Sequence, residues 1–546
     1  MSLGKEDRRI PLVVAQSGHR HLNEAESEAV RESVRGFLRE FAAQYPDSPH
    51  VFLTCLAEGA DQLCAEEALK EGYALAAVLP MAYEEYEKDF QGEALEKLRV
   101  LTAEAATVLV APDAEKRNEA GDDAAADRRY HYRQANIYLV QHSHVLMAVW
   151  DGKAGRPGGC GTSDTVEMKL WNAYRDVNGS LLHPEDGAVA QIRASRSGAG
   201  PLPPEEAGKV IWLGDRNAFR VLCERTEEYN RDALQSGNGG YDLAGTRVHG
   251  QNERTAERIS GIYKAADSMS VQNQAQNRKV LAFMSVAATV VTVAFLLYDE
   301  AEMYWMILVC GLMILALFAV NRIEGRLQCH RKYPEYRVLA EAMRVQFYMW
   351  RAGCPFEVSE QLPWTLQIHL PWVRKAAAAV MIGNSVPEAK SVMDDWILDQ
   401  KTYHRNALEK TLQAHETNER IERIALIAAI ISYIAALIFE IVMAGLLGAV
   451  PRMSPERIEL FRTVLKIVLG GLSAGTLFAG NYYGKLSLTQ NAEDHKKMAA
   501  LFEEAECSIG YEGETREILE RLAQEALGEN SAWYVFQSMN EPDISL

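Results

Sequence analysis

VLAFMSVAATVVTVAFLLY, residues 280–298, is a run of nineteen residues without a charged side chain. In a helix it spans roughly 28 Å, close to the ~30 Å thickness of the hydrocarbon core of a bilayer. Four residues, DEAE at 299–302, separate it from a second uncharged run, MYWMILVCGLMILALFAV at 303–320. Because this connection is so short, the two runs predict a tight antiparallel hairpin of membrane-spanning helices. The alternative is two buried helices of a soluble core, in which uncharged runs of this length are rarer.

Basic residues flank the open end of this hairpin and predict its orientation. Cytosolic loops of membrane proteins are enriched in Lys and Arg. We therefore expect the basic end in the cytosol and the acidic tip on the other side of the membrane. The basic residues are Arg278, Lys279, Arg322, Arg326, Arg331 and Lys332.

Two further apolar runs, 424–450 and 467–483, predict a second hairpin. Glu440 is the one charged residue of the first, and Gly471 and Gly475 of the second have a four-residue spacing that permits close helix contact. We retain four spans because an even number places both termini in the cytosol. The connection works against this arrangement, since it is basic where the positive-inside pattern disfavours it, with Arg452, Arg457, Arg462 and Lys466.

Polar side chains within the spans are candidates for a pore. Ser285, Thr289 and Thr292 share one helix face, being spaced at i, i+4 and i+7. The alternative is that their hydroxyls bond back to the helix or join two helices. Glu440 is a costly residue in a span, and we expect it to be paired with Lys466 or protonated.

Composition limits the classes of function. A net charge of −18 argues against binding to nucleic-acid duplexes, whose affinity for proteins depends on Lys and Arg. The eight cysteines are scattered without a CxxC motif, which is typical of a reducing compartment. The N-terminus has too short an apolar run for a signal peptide, so we expect the front half in the cytosol.

Short apolar strands alternate with helical patterns in the first part of the chain. This alternation predicts an α/β domain with a parallel sheet covered by helices on both faces. Ligands of such sheets bind at the carboxyl ends of the strands. The predicted strands are 10–15, 51–56, 73–80, 107–111 and 144–150.

Glycines and polar residues follow three of these strands. Glycines let backbone amides approach a phosphate, and a helix starting near Ser163 would point its positive end at one. The sequence therefore predicts a nucleotide pocket. Its candidate residues are Ser17, Gly18, His19, Arg20, Glu58, Gly59, Ala60, Asp61, Arg133, Asp151, Gly158, Gly159, Gly161, Thr162, Ser163 and Asp164.

Each of these features has a structural alternative. A glycine loop after a strand is often only a turn. Glu58 and Asp61 are also the acids expected at a helix start, and Arg128, Arg129 and Arg133 form a typical solvated helix face. His19 and His21 have no cysteine or carboxylate cluster nearby at ligand spacing, so no metal is predicted. No cofactor is predicted apart from the nucleotide-derived ligand.

The order of four motifs resembles the SLOG superfamily, which groups DprA-like proteins with the LOG cytokinin-activating hydrolases. The motifs are SGHR (17–20), LAEGADQL (56–63), AVLPM (77–81), and AVWDG (148–152) with PGGCGTSDTV (157–166). The resemblance covers roughly residues 8–195. It implies a Rossmann-like domain that binds nucleotides or nucleotide-derived ligands through the candidate residues above.

One departure from that family bears on catalysis. LOG hydrolases carry PGGxGTxxE, and the position of its glutamate is Thr165 here, with Glu167 two residues later. Two residues rotate a helical side chain by about 200°, onto the other face. A catalytic carboxylate must reach its substrate, so we favour a sensor without catalytic residues over a hydrolase.

The membrane half resembles the SLATT family of two-transmembrane effector domains from bacterial conflict systems. The similarity rests on the hairpin with its acidic turn, YRVLAEAMRVQFYMWRAG (336–353) and GENSAWY (528–534). It covers two copies, about 252–355 and 395–540. The predicted layout is a sensor domain (1–235), a linker (236–251), a first hairpin with cytosolic helices (252–355), a connecting segment (356–394), and a second hairpin with a cytosolic tail (395–546).

Together the resemblances imply an inner-membrane effector of anti-phage defence with a cytoplasmic N-terminal domain. A nucleotide second messenger, either a cyclic oligonucleotide or an ADP-ribose or NAD derivative, would bind the SLOG-like domain. The spans of a homo-oligomer in the bilayer would then form or open a pore and arrest growth or kill the cell. The alternative is a membrane-tethered nucleotide N-glycosidase or phosphoribohydrolase.

Overall fold

The chain forms two compact units in the computed structural model. The first comprises Met1–Met269 and Arg337–Lys390, and the second Ser270–Tyr336 and Ser391–Leu546. The structure describes all residues except 1–6, 113–123, 156–158, 172–186, 238, 245–252, 385–387, 445–447, 449–452, 487, 514 and 540–546.

A seven-stranded sheet organises the first unit. Its spatial order is β4-β3-β2-β1-β5-β6-β7, and neighbouring strands are parallel except for the antiparallel pair β6 and β7. This confirms the predicted α/β fold with a mostly parallel sheet. The strands are β1 (Leu12–Gly18), β2 (His50–Thr54), β3 (Ala74–Leu79), β4 (Thr107–Val110), β5 (Val145–Trp150), β6 (Ala188–Arg193) and β7 (Val210–Gly214).

The last two strands were not predicted. Each lies in a part of the sequence interrupted by Gly and Pro, where the periodicity is short. β6 is stabilised as a strand by its parallel pairing with β5 and by its burial, which extends over almost its whole length.

Helices cover both faces of the sheet. The helices between its strands are α1 (Ser27–Gln44), α2 (Ala60–Lys70), α3 (Tyr83–Tyr86), α4 (Gly92–Glu104), α5 (Ala124–His142) and α6 (Thr162–Trp171), and α7 (Arg216–Gln235) follows β7. On one face Val13 and Leu146 pack with Leu139 of α5 and Val166 of α6. α1 packs against β7, where the ring of Phe37 lies 6.0 Å from that of Trp212, and against α7, where the ring of Phe41 lies 6.2 Å from that of Phe219.

The chain leaves the first unit and returns to it. α8 (Glu253–Glu300), α9 (Met306–Leu327) and α10 (Cys329–Arg351) precede α11 (Val358–Gln361), α12 (Trp364–His369) and α13 (Pro371–Val380). Ala379 and Ile382 lie in the core between the sheet and its helices, and Lys375 Nζ donates to Gln141 O over 3.3 Å. A segment distant in sequence therefore completes the α/β core.

The second unit is helical. Its other helices are α14 (Asp399–Met443), α15 (Pro455–Leu486), α16 (Leu488–Glu512) and α17 (Arg516–Met539). Four helices of the described chain, α8, α9, α14 and α15, are long and apolar enough to cross a membrane. At most 17% of any of these apolar stretches is buried, so their surfaces suit a nonpolar surrounding such as a bilayer.

The close contact between the hairpins lies one residue away from the predicted glycine pair. A Cβ added to Gly470 of α15 would lie 2.7 Å from Leu296 Cδ1 of α8. At Gly471 it would lie 3.6 Å from Val293, an ordinary contact distance, and at Gly475 it would meet nothing within 4 Å. Of the two glycines whose spacing permits close helix contact, Gly471 therefore faces α8 and Gly475 does not, because spacing alone does not say which face of a helix meets its neighbour.

Candidate functional site

The candidate site lies where the order of the sheet reverses. β1 and β5 are neighbours, with Gly18 opposite Val149, while the chain proceeds from β1 through β2 to one edge and from β5 through β6 to the other. The connections that follow β1 and β5 therefore diverge, and in sheets of this kind ligands bind in a crevice at the carboxyl ends of the strands where the order reverses.

Two glycines bring the loops after β1 and β2 together. Gly59 has a φ of +90°, and a Cβ there would lie 2.0 Å from Arg20 O. A Cβ on Gly18 would lie 2.4 Å from the Cβ of Ala60, whose amide donates to His19 O over 3.0 Å. Both glycines are therefore required by the contact between the two loops, whether or not a ligand is bound.

The carboxylate of Asp61 connects the loops after β1 and β2 at this junction. It is buried and accepts hydrogen bonds from the amide of Ala57 over 3.3 Å and from the amide of Gly18. Burial raises the pKa of Asp61 to about 7, although these hydrogen bonds and the charge of Arg20 act in the opposite direction. Asp61 therefore holds the loop amides in place, and the neighbouring Glu58 is half-buried.

Arg20 is the exposed cation of the crevice. Its guanidinium lies over the ring of Tyr132 on α5, 4.8 Å from the ring centroid. The Tyr132 hydroxyl donates to Asp89 over 2.5 Å, and Arg128 donates to the same carboxylate over 2.7 Å. Neither Tyr132 nor Asp89 was predicted, because no sequence motif links them to Arg20. The platform beneath Arg20 arises only from tertiary packing.

His19 is buried beside Arg196 and Asp151. The Nε of Arg196 is a donor and lies 3.2 Å from His19 Nδ1. Nε2 lies 3.2 Å from the Asp151 amide, which donates to it, and 3.5 Å from an Asp151 carboxylate oxygen. Burial, and secondly the charge of Arg196, lowers the pKa of His19. His19 therefore bridges the ends of β1 and β5 as an uncharged ring.

The glycine-rich segment leads into α6, which begins at Thr162 as predicted for a helix starting near Ser163. The Asp164 carboxylate accepts from the Gly161 amide over 3.0 Å, and Ser17 Oγ lies 3.4 Å from the Thr162 hydroxyl. The N-terminus of α6 is thus fixed next to the end of β1, where its dipole favours an anion. Gly159 is half-buried, and Gly158 lies outside the described residues.

Three guanidinium groups act on the region around Cys160. The charges of Arg20, Arg129 and Arg133 each lower the pKa of its thiol, but burial outweighs them and raises it. The carbonyl of Cys160 accepts from Asn136 of α5 over 2.9 Å. Arg20, Arg129 and Arg133 therefore lie close enough to act on Cys160, as does the carboxylate of Asp164.

The position of the hydrolase glutamate carries no acid. Thr165 is fully buried, and its hydroxyl donates to Gly161 O over 3.1 Å. Glu167 is exposed on the other face of α6, as the rotation of about 200° predicts.

Among the pore candidates, the threonine hydroxyls bond to their own helix. Thr289 donates to Ser285 O over 2.9 Å and Thr292 to Ala288 O over 3.0 Å. These are the contacts of the alternative in which the hydroxyls do not line a pore.

Glu440 is paired, but not with the expected residue. Its two carboxylate oxygens accept from Arg462 over 2.7 and 2.6 Å. Lys466, the predicted partner, instead donates to Glu300 at the end of α8 over 2.8 Å. The prediction was wrong because Arg462 and Lys466 are one helical turn apart on α15, and only packing decides which of them reaches α14. These pairs also neutralise two cations of the basic connection.

A surface groove elsewhere in the first unit is a weaker candidate. It lies between the C-terminal end of α1 and α7, near the amino edge of the sheet, and Glu224, Glu227 and Glu228 line it together with Arg225 and Arg231. Its mixed charge and its position away from the strand ends make it less suited to a phosphate.

Comparison with known proteins adds no relative to this arrangement: no protein-family model matches the chain, and no curated protein matches it significantly.

Proposed function

We propose that this protein is a ligand-gated membrane effector. A nucleotide-derived second messenger, a cyclic oligonucleotide or an ADP-ribose or NAD derivative, binds the crevice of the first unit, which we assign to the Rossmann-like SLOG domains. The SLATT-like helices of a homo-oligomer then form or open a pore in the bacterial inner membrane. Growth arrest or cell death during phage infection follows from the loss of the membrane barrier.

The observation that carries the sensing step is the convergence of anion-binding features at the reversal of the sheet. Arg20 is exposed there, and the N-terminus of α6 is fixed beside β1 through Ser17 and Thr162. A diphosphate or cyclic phosphodiester is the kind of ligand that such a site stabilises. The ring of Tyr132 beneath Arg20 adds a planar surface at the same place.

The four exposed apolar helices support the effector step. Their surfaces have little cover within the second unit. A ligand can gate them only if it binds the open state more tightly, by a few kcal/mol for a substantial shift in population.

The residues of α6 favour a sensing function over glycosidic hydrolysis. Hydrolysis in the LOG manner needs a carboxylate at the position of Thr165, and that side chain is buried and bonded to Gly161.

The test is ion leakage from liposomes that contain the purified full-length protein, titrated with cyclic oligonucleotides and ADP-ribose derivatives. We expect one ligand to trigger leakage, and Arg20→Ala to raise the ligand concentration needed by about tenfold or more, since charge-assisted contacts contribute about 1.5–3 kcal/mol. The matched control is Arg39→Ala, which removes an exposed arginine of α1 paired with Glu71.

Two outcomes would contradict the proposal. Equal sensitivity of the Arg20 and Arg39 variants would remove the crevice as the trigger. Absence of leakage together with release of a free base from a nucleotide, measured by mass spectrometry, would establish the hydrolase instead.

A further inference from the structure

The open end of the first hairpin carries a concentrated positive charge. Arg278 and Lys279 of α8 and Arg322 and Arg326 of α9 are all exposed, and we call these four residues the basic collar. Within the described part of the chain, no ion pair involves any of them. Basic residues exposed next to membrane-spanning helices are attracted to anionic headgroups.

The register of the hairpin places these four cations at nearly one height. Cys310 Sγ donates to Val291 O over 3.6 Å, so these two residues face each other in the antiparallel pair. Lys279 lies twelve residues before Val291, and Arg322 lies twelve residues after Cys310. The two cations are therefore level with each other. Arg326 lies about 6 Å beyond, little more than one helical turn.

Aromatic residues mark the opposite boundary. Tyr304 and Trp305 at the hairpin tip are 66% and 56% exposed, as in the aromatic belts at bilayer surfaces. Along α9, Arg322 and Arg326 lie about 26 and 32 Å from Trp305. These distances bracket the ~30 Å hydrocarbon core, which puts the basic collar at the level of the lipid headgroups.

The residues next to the two arginines indicate lipid rather than a covering protein segment. Ile323 and Leu327 are 54% and 49% exposed, so the apolar surface continues through this turn. The carboxylate of Glu324 lies between the two arginines in the sequence. It accepts a hydrogen bond from the amide of His330, in the first turn of α10, over 3.1 Å. Long arginine side chains on such a surface extend their charge into the headgroup region.

The α14 side of the second hairpin lacks this concentration of charge. Arg420 and Arg423 of α14 are exposed but alternate with three acids, Glu416, Glu419 and Glu422, within eight residues. The net charge of that stretch is therefore −1, from two arginines against three glutamates. The two hairpins have the same kind of apolar surface, but the charge beside α14 differs from that of the basic collar.

We propose that the basic collar binds the phosphate headgroups of anionic phospholipids, so that the first hairpin has a selective lipid shell and the second does not. This inference rests on the membrane insertion contained in the proposed function, but not on the ligand or on pore opening. Each cation near a headgroup phosphate favours an anionic lipid by roughly fivefold over a zwitterionic one.

The experiment measures which lipids stay bound to the full-length protein. The protein is reconstituted in vesicles of equal phosphatidylglycerol and phosphatidylcholine, re-extracted with mild detergent, and its retained lipids are quantified by mass spectrometry. We expect phosphatidylglycerol to be enriched on the unmodified protein. The double variant Arg322→Gln, Arg326→Gln should reduce this enrichment by about fivefold per arginine removed.

Three variants and one competitor make the result decisive. Arg420→Gln, Arg423→Gln should leave the enrichment unchanged, and Arg322→Lys, Arg326→Lys should retain it. An unchanged enrichment in the Arg322→Gln, Arg326→Gln variant, or an equal fall in the Arg420 and Arg423 control, would overturn the inference. Release of the lipid by millimolar inorganic phosphate would also overturn it, in favour of a free-phosphate site.

Flotation of the vesicles separates this inference from the proposed function. If all variants float with the vesicles but show no lipid preference, the lipid inference fails and membrane insertion stands. If the unmodified protein does not float, both fail.

Discussion

Asp61 is the residue at which chemistry and packing are most tightly coupled. Its carboxylate is withdrawn from water in order to hold the amides of Gly18 and Ala57. Polar groups buried in this way stabilise a fold only while their partners remain in place. The junction of the β1 and β2 loops should therefore depend on pH.

The pH dependence follows from the raised pKa of Asp61. Its pKa is about 7 in the fold against an ordinary value of 3.8 for an aspartate, so between these values the folded state holds a proton that the unfolded state has lost. The stability contributed by Asp61 therefore falls, by a few kcal/mol at most, as pH rises from about 4 to about 7, and is constant outside that window. Hydrogen–deuterium exchange of peptides covering β1 and α2 measures this local stability.

The variant Asp61→Asn serves as the reference for that measurement. At each pH, protection in the unmodified protein is compared with protection in Asp61→Asn, which does not titrate. As the pH rises across the window, protection in the unmodified protein should fall relative to protection in Asp61→Asn. A difference that does not change with pH would show that Asp61 has an ordinary pKa.

Gly59 should not tolerate a side chain. In Gly59→Ala the methyl group would meet Arg20 O at 2.0 Å at a positive φ, so we expect a loss of more than about 1 kcal/mol of stability. The control is Gly36→Ala in α1, where a Cβ meets nothing within 4 Å and helix propensity predicts a gain of about 0.5–1 kcal/mol. Thermal unfolding of both variants gives the comparison, and equal midpoints would refute the close approach.

Among the elements, α15 contacts two other apolar helices of the second unit. It contacts α8 through Gly470 and Lys466, and α14 through Arg462. The hydrophobic effect does not drive helices together within a bilayer, because the lipid tails are as apolar as the side chains. Close packing at small residues and polar pairs of this kind therefore determine how the helices associate.

A bulky residue at the α8–α15 contact should separate these helices. In Gly470→Ile the side chain would overlap Leu296, whereas in Gly475→Ile it would enter open space. We expect the first variant to lower the unfolding temperature in detergent and the second to leave it within a few degrees, since overpacking costs about 1–3 kcal/mol. Similar losses in both variants would indicate that Gly475 also lies against a helix.

At the scale of the whole molecule, the first hairpin is an insertion in the α/β unit. Residues 337–390 return to that unit and place Ala379 in its core. The sheet and the hairpin are therefore connected by two chain crossings, at α8 and at α10.

A charge at the returning helix should unfold the sheet although it is distant in sequence. Ala379→Glu would bury a carboxylate among apolar side chains and cost about 3 kcal/mol or more. Ala103→Glu, on the exposed face of α4, is the matched control and should change stability by about 0.5 kcal/mol or less. Limited proteolysis of the first unit distinguishes them, and equal resistance would show that α13 is not needed by the core.

The sequence by itself determined the classes of structure and their places along the chain. Charge-free runs long enough for a bilayer predicted four apolar helices, and alternating short strands and helices predicted a mostly parallel sheet; both are found. These features depend on local periodicity and length, which are properties of neighbouring residues. The start of α6 and the turned-away Glu167 were also predictable, because helix geometry fixes them.

Only the tertiary structure decided which distant residues meet. The platform of Tyr132 under Arg20, the neutral His19 beside Arg196, the pairing of Glu440 with Arg462 and the contribution of Ala379 to the core all join segments far apart in the chain. No local pattern encodes such contacts, since they depend on which faces of helices and strands become buried together. Their physical origin is the burial of apolar surface, which leaves each polar group to pair with whatever partner lies within reach.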